Sequence, residues 1–175
     1  MKEIAIIFGS SRPKGNTFAA VQQIMNQISG SVFFDLTNYQ ISDFDYDHKN
    51  RNDDFMRLIE QLLAYKTLIF ATPIYWYTMS ASMKRFVDRL SDLLSIEKDI
   101  GRLLRNKNLA VISSYSIHPD GKEGFEPIFI NTANYLGMNY LGCYFHYSGE
   151  DKDMLAKNSI RLTQFTDCLL LKSSP

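Results

Sequence analysis

Short solid apolar runs alternate along this chain with longer stretches whose apolar residues recur every third or fourth position. Ile4-Ala5-Ile6-Ile7-Phe8 reads as a buried strand, and Phe18, Val21, Ile24, Met25 and Ile28 then mark one face of a helix over residues 16–27, ending before Gly30. Residues 31–36 read as a short second strand and residues 37–54 as a polar, turn-rich connection. Phe55, Leu58, Ile59, Leu62 and Leu63 form the apolar face of a second helix, capped by Asp53 or Asp54. Residues 68–71 form a third strand. A third helix over residues 80–94 turns Met83, Phe86, Val87, Leu90 and Leu94 inward, with Thr78 or Ser80 as its cap. After a basic turn at 102–108 come a fourth strand (109–113), a long polar loop (114–124), a fourth helix (125–136) ending at Gly137, and a fifth strand (138–147). A last helix opens at Ser148 or Gly149 and reaches Leu171.

Strict alternation of five strands and five helices predicts an α/β fold, a parallel sheet with helices on both faces. The 175 residues suffice for one domain, 1–175, with no internal repeat or linker. Lys and Arg number 19 and Asp and Glu 19, which gives no electrostatic case for nucleic acid or an anionic membrane as a partner. No run approaches the roughly 20 apolar residues that cross a bilayer. Met1-Lys2-Glu3 leads straight into the first strand, so no secretory leader is expected. Cys143 and Cys168 match no metal spacing and are expected as two buried thiols of a cytoplasmic protein, without a disulfide. Asp43, Asp45, Asp47 and His48 lack the glycine and terminal glutamate of a calcium loop and read as a solvated loop; no metal is expected.

Two loops carry candidate chemistry. Gly9-Ser10-Ser11-Arg12-Pro13-Lys14-Gly15-Asn16-Thr17 joins the first strand to the first helix, where free N–H groups and the helix dipole favour a phosphate. Ser10, Ser11, Asn16 and Thr17 offer hydrogen bonds and Arg12 a charge-assisted one. The loop lacks the Gly-Lys-Ser/Thr ending of a P-loop, the three spaced glycines of a dinucleotide fingerprint and a phosphatase cysteine, which leaves a monophosphate grip or an ordinary capping turn. The second loop, Thr72-Pro73-Ile74-Tyr75-Trp76-Tyr77-Thr78-Met79-Ser80, ends the third strand. In a doubly wound sheet of strand order 2-1-3-4-5 the two loops face each other across the ligand crevice. Pro73 stiffens the second loop. Ile74, Tyr75 and Trp76 are expected to offer free backbone groups and flat side chains to a tricyclic ring. Core packing or a subunit contact would equally use these aromatics, but three in a row cannot all face inward.

These two loops, with Met79-Ser80-Ala81-Ser82-Met83-Lys84-Arg85-Phe86-Val87-Asp88-Arg89-Leu90 after them, resemble the NADPH-dependent FMN reductase family, flavodoxin-like NAD(P)H:flavin, quinone or azo-dye oxidoreductases. The resemblance implies a flavodoxin-like three-layer fold, FMN as cofactor and NADPH or NADH as co-substrate. It implies that Ser10, Arg12, Asn16 and Thr17 hold the FMN phosphate and that Pro73, Ile74, Tyr75 and Trp76 line the isoalloxazine. The family's third contact falls on Ser113-Ser114-Tyr115-Ser116, where Ser114 and Tyr115 stand in place of the family's common glycine pair. The cysteine cluster of the iron–sulfur branch is absent. Hydride would pass from nicotinamide to the flavin and on to a small-molecule electron acceptor, with no side-chain acid or base required. His118 is expected to be a surface histidine without a role. Relatives imply a homodimer or homotetramer.

The rival readings are a flavodoxin-type electron carrier and a flavin-binding regulatory protein without turnover. Zero net charge, and Lys84, Arg85 and Arg89 near the site, favour the enzyme over an acidic carrier.

Overall fold

The computed structural model describes residues 2–116 and 122–173; His118 lies outside them. Five strands, β1 (Lys2–Phe8), β2 (Val32–Asp35), β3 (Tyr65–Ala71), β4 (Asn108–Tyr115) and β5 (Asn139–Tyr147), form one sheet in the order β2-β1-β3-β4-β5. Every pairing is parallel. The helices are α1 (Asn16–Gln27), α2 (Phe55–Leu62), α3 (Ala81–Arg89), α4 (Asp92–Ser95), α5 (Lys98–Arg102), α6 (Lys122–Leu136) and α7 (Lys152–Ser173). This is the flavodoxin-like order, whose switch point falls between β1 and β3.

The solid apolar runs are solid because both faces of the sheet are covered. Along β1, Ile4, Ile6 and Phe8 point into a core shared with Ala20, Val21 and Ile24 of α1 and Leu162, Phe165 and Leu169 of α7. Ala5 and Ile7 point into the opposite core, built with Leu58 of α2, Phe86 of α3 and Phe129 of α6. Phe8, Phe18 and Phe33 meet with centroids 5.5–5.9 Å apart. Each such pair contributes roughly 0.5–1.5 kcal/mol beyond its buried area, and together they fix the first turn of α1, just past the first loop, against β1 and β2.

The helix expected over 80–94 is divided into α3 and α4, and the short α5 follows before the basic turn. The reason is tertiary. The Arg89 side chain is fully buried at the end of α3; its Nε donates to Asp92 Oδ2 at 2.8 Å and its Nη1 to Asp53 Oδ2 and the Ser42 carbonyl. His48 Nδ1 lies 3.0 Å from Asp92 Oδ1, and Arg85 donates to Asp43 at 2.6 Å. The 37–54 connection, exposed or half-buried along its whole length, is thus a solvated loop that is also stitched to α3 and α4. The same contacts bear on Lys84, Arg85 and Arg89, expected near the site as free basic charge. Arg85 and Arg89 are paired to this connection, Lys84 to Asp88 at 2.5 Å, and none of the three lines the cavity described below. Cys143 and Cys168 are free and half-buried, not fully buried. Among the described residues no helix is long and apolar enough to cross a membrane.

Candidate functional site

At the carboxyl edge of β1, β3 and β4 the chain encloses a cavity of about 720 Å³. Buried hydroxyls hold its walls in register. Ser80 Oγ caps α3 by accepting from Met83 N–H at 3.3 Å and donates to the Gly9 carbonyl at 2.8 Å, tying the start of the first loop to the end of the second. Ser80 N–H donates to Thr72 Oγ1 at 3.0 Å, and Ser113 Oγ donates to the Thr72 carbonyl at 2.7 Å. Gly9 is needed where it stands: a Cβ there would lie 3.0 Å from the backbone nitrogen of Met83. Nothing in the local sequence marks Thr72 and Ser113 for these bonds, which join β3 to β4 and to the start of α3.

One wall is the first loop. Ser10, Arg12, Asn16 and Thr17 all line the cavity. Ser10 Oγ accepts from Arg12 N–H at 3.2 Å, folding the loop back on itself. Gly15 occupies the N-cap position of α1, so no side chain caps the helix, and its first turn contains no acidic residue. An α-helix leaves its first N–H groups without intrahelical partners and carries partial positive charge there. An uncapped N-terminus opening on a cavity that also carries Arg12 has the chemistry of a phosphate site. FMN, which supplies one phosphate, fits that donor set. Thr17 is buried, and its Oγ1 lies 2.7 Å from Ser114 Oγ, which joins α1 to the end of β4.

The opposite wall is the second loop. Pro73 and Ile74 are packed in, whereas Tyr75, Trp76 and Tyr77 are 37%, 93% and 67% exposed. All five line the cavity. The expectation of free backbone donors needs correction at Ile74 and Tyr75. Ile74 N–H donates to the Ser114 carbonyl at 3.1 Å and Tyr75 N–H to the Thr78 carbonyl at 2.9 Å.

The third contact is Ser114-Tyr115-Ser116 at the end of β4. The Tyr115 ring is turned away into packing, 5.3 Å from the Tyr147 ring and 4.1 Å below the Lys122 ammonium. Tyr115 is 5% exposed, so its phenol offers the cavity little surface. Ser148 completes the lining. Its N–H and Oγ both donate to the Tyr115 carbonyl, at 2.9 and 3.0 Å. The sequence reading treated Ser148 only as a helix start. The topology supplies the missing signal, because β5 lies beside β4 and its end opens on the same cavity. No group of three His, Cys, Asp or Glu side chains suited to a metal occurs among the described residues.

A flavodoxin-like sheet with a hydroxyl-rich anion loop and an aromatic loop facing each other at its switch point defines a class of mononucleotide-binding α/β proteins. Residues 2–152 match the model of the NADPH-dependent FMN reductase family, and the chain belongs to that family. It is 31% identical over 153 residues to YwqN of Bacillus subtilis strain 168, a protein carrying the name of an NAD(P)H-dependent FMN-containing oxidoreductase, with 80% of this chain and 82% of that one covered. Among solved structures it resembles the Trp repressor binding protein from Bacillus subtilis, with TM-score 0.73, 25% identity, and coverage of 95% of this chain and 97% of that one. An FMN-dependent NADH-azoreductase from Bacillus anthracis, solved in complex with FMN, shares the fold at TM-score 0.68 and 9% identity, with 99% and 100% covered.

Proposed function

We propose that this chain binds FMN in the cavity and uses it as an NAD(P)H-dependent oxidoreductase toward a small-molecule electron acceptor such as a flavin, quinone or azo compound. The observation that carries the reading is the uncapped N-terminus of α1 sharing one cavity with Arg12 and the aromatic hairpin. The bound flavin supplies two-electron exchange between nicotinamide and acceptor. The chain's own residues bind and orient. Ser10, Arg12, Asn16 and Thr17 grip the phosphate, and Pro73, Ile74, Tyr75 and Trp76 form the wall for the ring. Ser114 and Tyr115 close the third side, Ser114 through its hydroxyl and Tyr115 chiefly through its backbone. No side chain is assigned as a catalytic acid or base. We place the protein in the cytoplasm as a homodimer or homotetramer.

The test is the visible spectrum of purified protein before and after anaerobic NADPH or NADH. Flavin absorbance, present or restored by added FMN, is expected to bleach within seconds. Flavin that binds but is not bleached by either nicotinamide would move the protein to the carrier or regulatory class. Protein that takes up no FMN would end the two-loop assignment.

A further inference from the structure

The turn between Tyr75 and Thr78 is built against the grain of its sequence. Tyr75 and Thr78 pair as an antiparallel bridge, exchanging hydrogen bonds of 2.9 and 3.0 Å, so Trp76 and Tyr77 form a two-residue loop. Their φ angles are +47° and +66°. Two successive positive φ values define a type I′ turn, which Asn-Gly or Gly-Gly would adopt without strain. Bulky aromatics in left-handed backbone are outliers that persist only where the structure holds them there, and they concentrate at ligand clamps. The usual compensation, burial, is missing: Trp76 is 93% and Tyr77 67% exposed.

The surroundings point to what the rings are for. Both line the cavity, and Arg12, in the first loop, is the one Lys, Arg, Asp or Glu side chain among the described residues that does so. Charge is therefore placed at the phosphate end, and the hairpin end is flat, aromatic and uncharged. A flat surface of this kind stacks a planar ring, and Tyr and Trp do so at low conformational cost.

We propose that Trp76, supported by Tyr77, is a stacking clamp that selects planar aromatic electron acceptors at the mouth of the cavity, and that the left-handed turn holds it in that pose. This rests on the flavin reading above and adds to it the residue that discriminates among acceptors. The competing occupant, a second copy of this chain covering the hairpin, is decided by the same experiment.

Trp76 is the protein's single tryptophan, so its emission reports the hairpin directly. Wild type, Trp76→Gly and Trp76→Phe are compared in four ways: melting temperature without ligand, elution volume on size exclusion, FMN uptake by absorbance, and calorimetric binding of oxidised 2-methyl-1,4-naphthoquinone. Calorimetry is run with and without FMN. Glycine relaxes the turn, so Trp76→Gly is expected to melt higher by roughly 2–4 °C, the shift of a modest stability gain in a chain of this size. The same variant is expected to bind the naphthoquinone about tenfold more weakly, with Trp76→Phe in between. In wild type the quinone quenches tryptophan emission over the same concentration range. Equal quinone affinity in Trp76→Gly and wild type overturns the clamp. So does a Trp76→Gly protein that melts lower and elutes as a smaller species, because the ring then belongs to a subunit contact. An unchanged melting temperature refutes the strain. A wild type that takes up no FMN defeats the flavin reading and the clamp with it, whereas equal quinone affinity of FMN-loaded wild type and Trp76→Gly overturns the clamp alone.

Discussion

Thr17 Oγ1 and Ser114 Oγ lie 2.7 Å apart, both in buried residues that line the cavity. One residue belongs to the first turn of α1 and the other to the end of β4, 97 positions later. This bond, with the Ile74 N–H donated to the Ser114 carbonyl, makes Ser114 the point where all three walls of the site meet.

That placement gives a sharp expectation for stability. Ser114→Ala leaves the Thr17 hydroxyl buried without its partner, at a cost of roughly 1–3 kcal/mol. Replacing both groups by apolar ones of similar shape removes the unsatisfied atom. The double variant Thr17→Val/Ser114→Ala should therefore be no less stable than Ser114→Ala alone. Urea denaturation of the ligand-free proteins measures this, and strictly additive losses would contradict it.

Arg12 is an exposed arginine on the cavity wall. Assigned to the phosphate, it should matter for FMN and not for riboflavin, which has no phosphate. Arg12→Ala is expected to weaken FMN about 10-fold or more, from the loss of a hydrogen bond between charged groups. Riboflavin affinity should stay within about twofold. Flavin fluorescence titrations in low and high salt give both numbers, and an equal loss for the two flavins would remove Arg12 from the phosphate.

The Arg89 clamp yields a prediction far from the cavity. Arg89 is fully buried over the Phe55 ring at 4.7 Å, with Asp53 and Asp92 as its partners. Arg89→Met strands two carboxylates and should cost roughly 3–5 kcal/mol. It should also release the 37–54 connection, visible as faster limited proteolysis there. Burial alone raises the pKa of Asp53, but hydrogen bonds from Arg89 and from the N–H groups of Ser42 and Phe55 outweigh it and hold the carboxyl below its ordinary 3.8. A lowered folded-state pKa means stability present above pH 3.8 and lost as pH falls through the folded value. The wild type should lose this contribution in that acid range and Arg89→Met should not.

His146 titrates in a milder range. Burial pushes it below its ordinary 6.5, and its Nδ1 lies 3.0 Å from the Tyr144 hydroxyl. Below pH 6.5 the unfolded chain takes up a proton that the folded chain resists, so folding stability falls with pH there. Relative to His146→Gln, the wild type should lose melting temperature between about pH 7 and pH 5. Parallel curves across that range would show the two states titrating alike.

Much of this was legible from local pattern. The solid runs at 4–8 and 109–113 marked strands covered on both faces, and the three-to-four spacing of Phe55, Leu58, Ile59 and Leu62 marked a helix. Parallel strands joined by helices admit few orders, and the two loops fell on the switch point because strand order places them there. Ser10, Arg12, Asn16, Thr17, Pro73, Ile74, Tyr75 and Trp76 were all legible as lining residues, since each lies in the connection that follows β1 or β3.

What the sequence could not determine depends on contacts between distant segments. Periodicity carried α3 on to Leu94, but the buried Arg89 pairs that accompany its end join residues 36 and 47 positions apart. Composition showed 37–54 as a solvated loop but not its tethers to Arg85, Arg89 and Asp92, because a charged side chain's partner is not written beside it. Tyr115 lines the cavity as its position implied, but the packing of its ring against Tyr147 could not be read from sequence. Ser148 entered the lining only because β5 lies next to β4. The left-handed turn at Trp76 and Tyr77 is invisible to propensity, which would assign neither residue a positive φ. Local chemistry thus determined the elements and the two facing loops, whereas the register between β1, β3, β4 and β5 decided which side chains the cavity keeps.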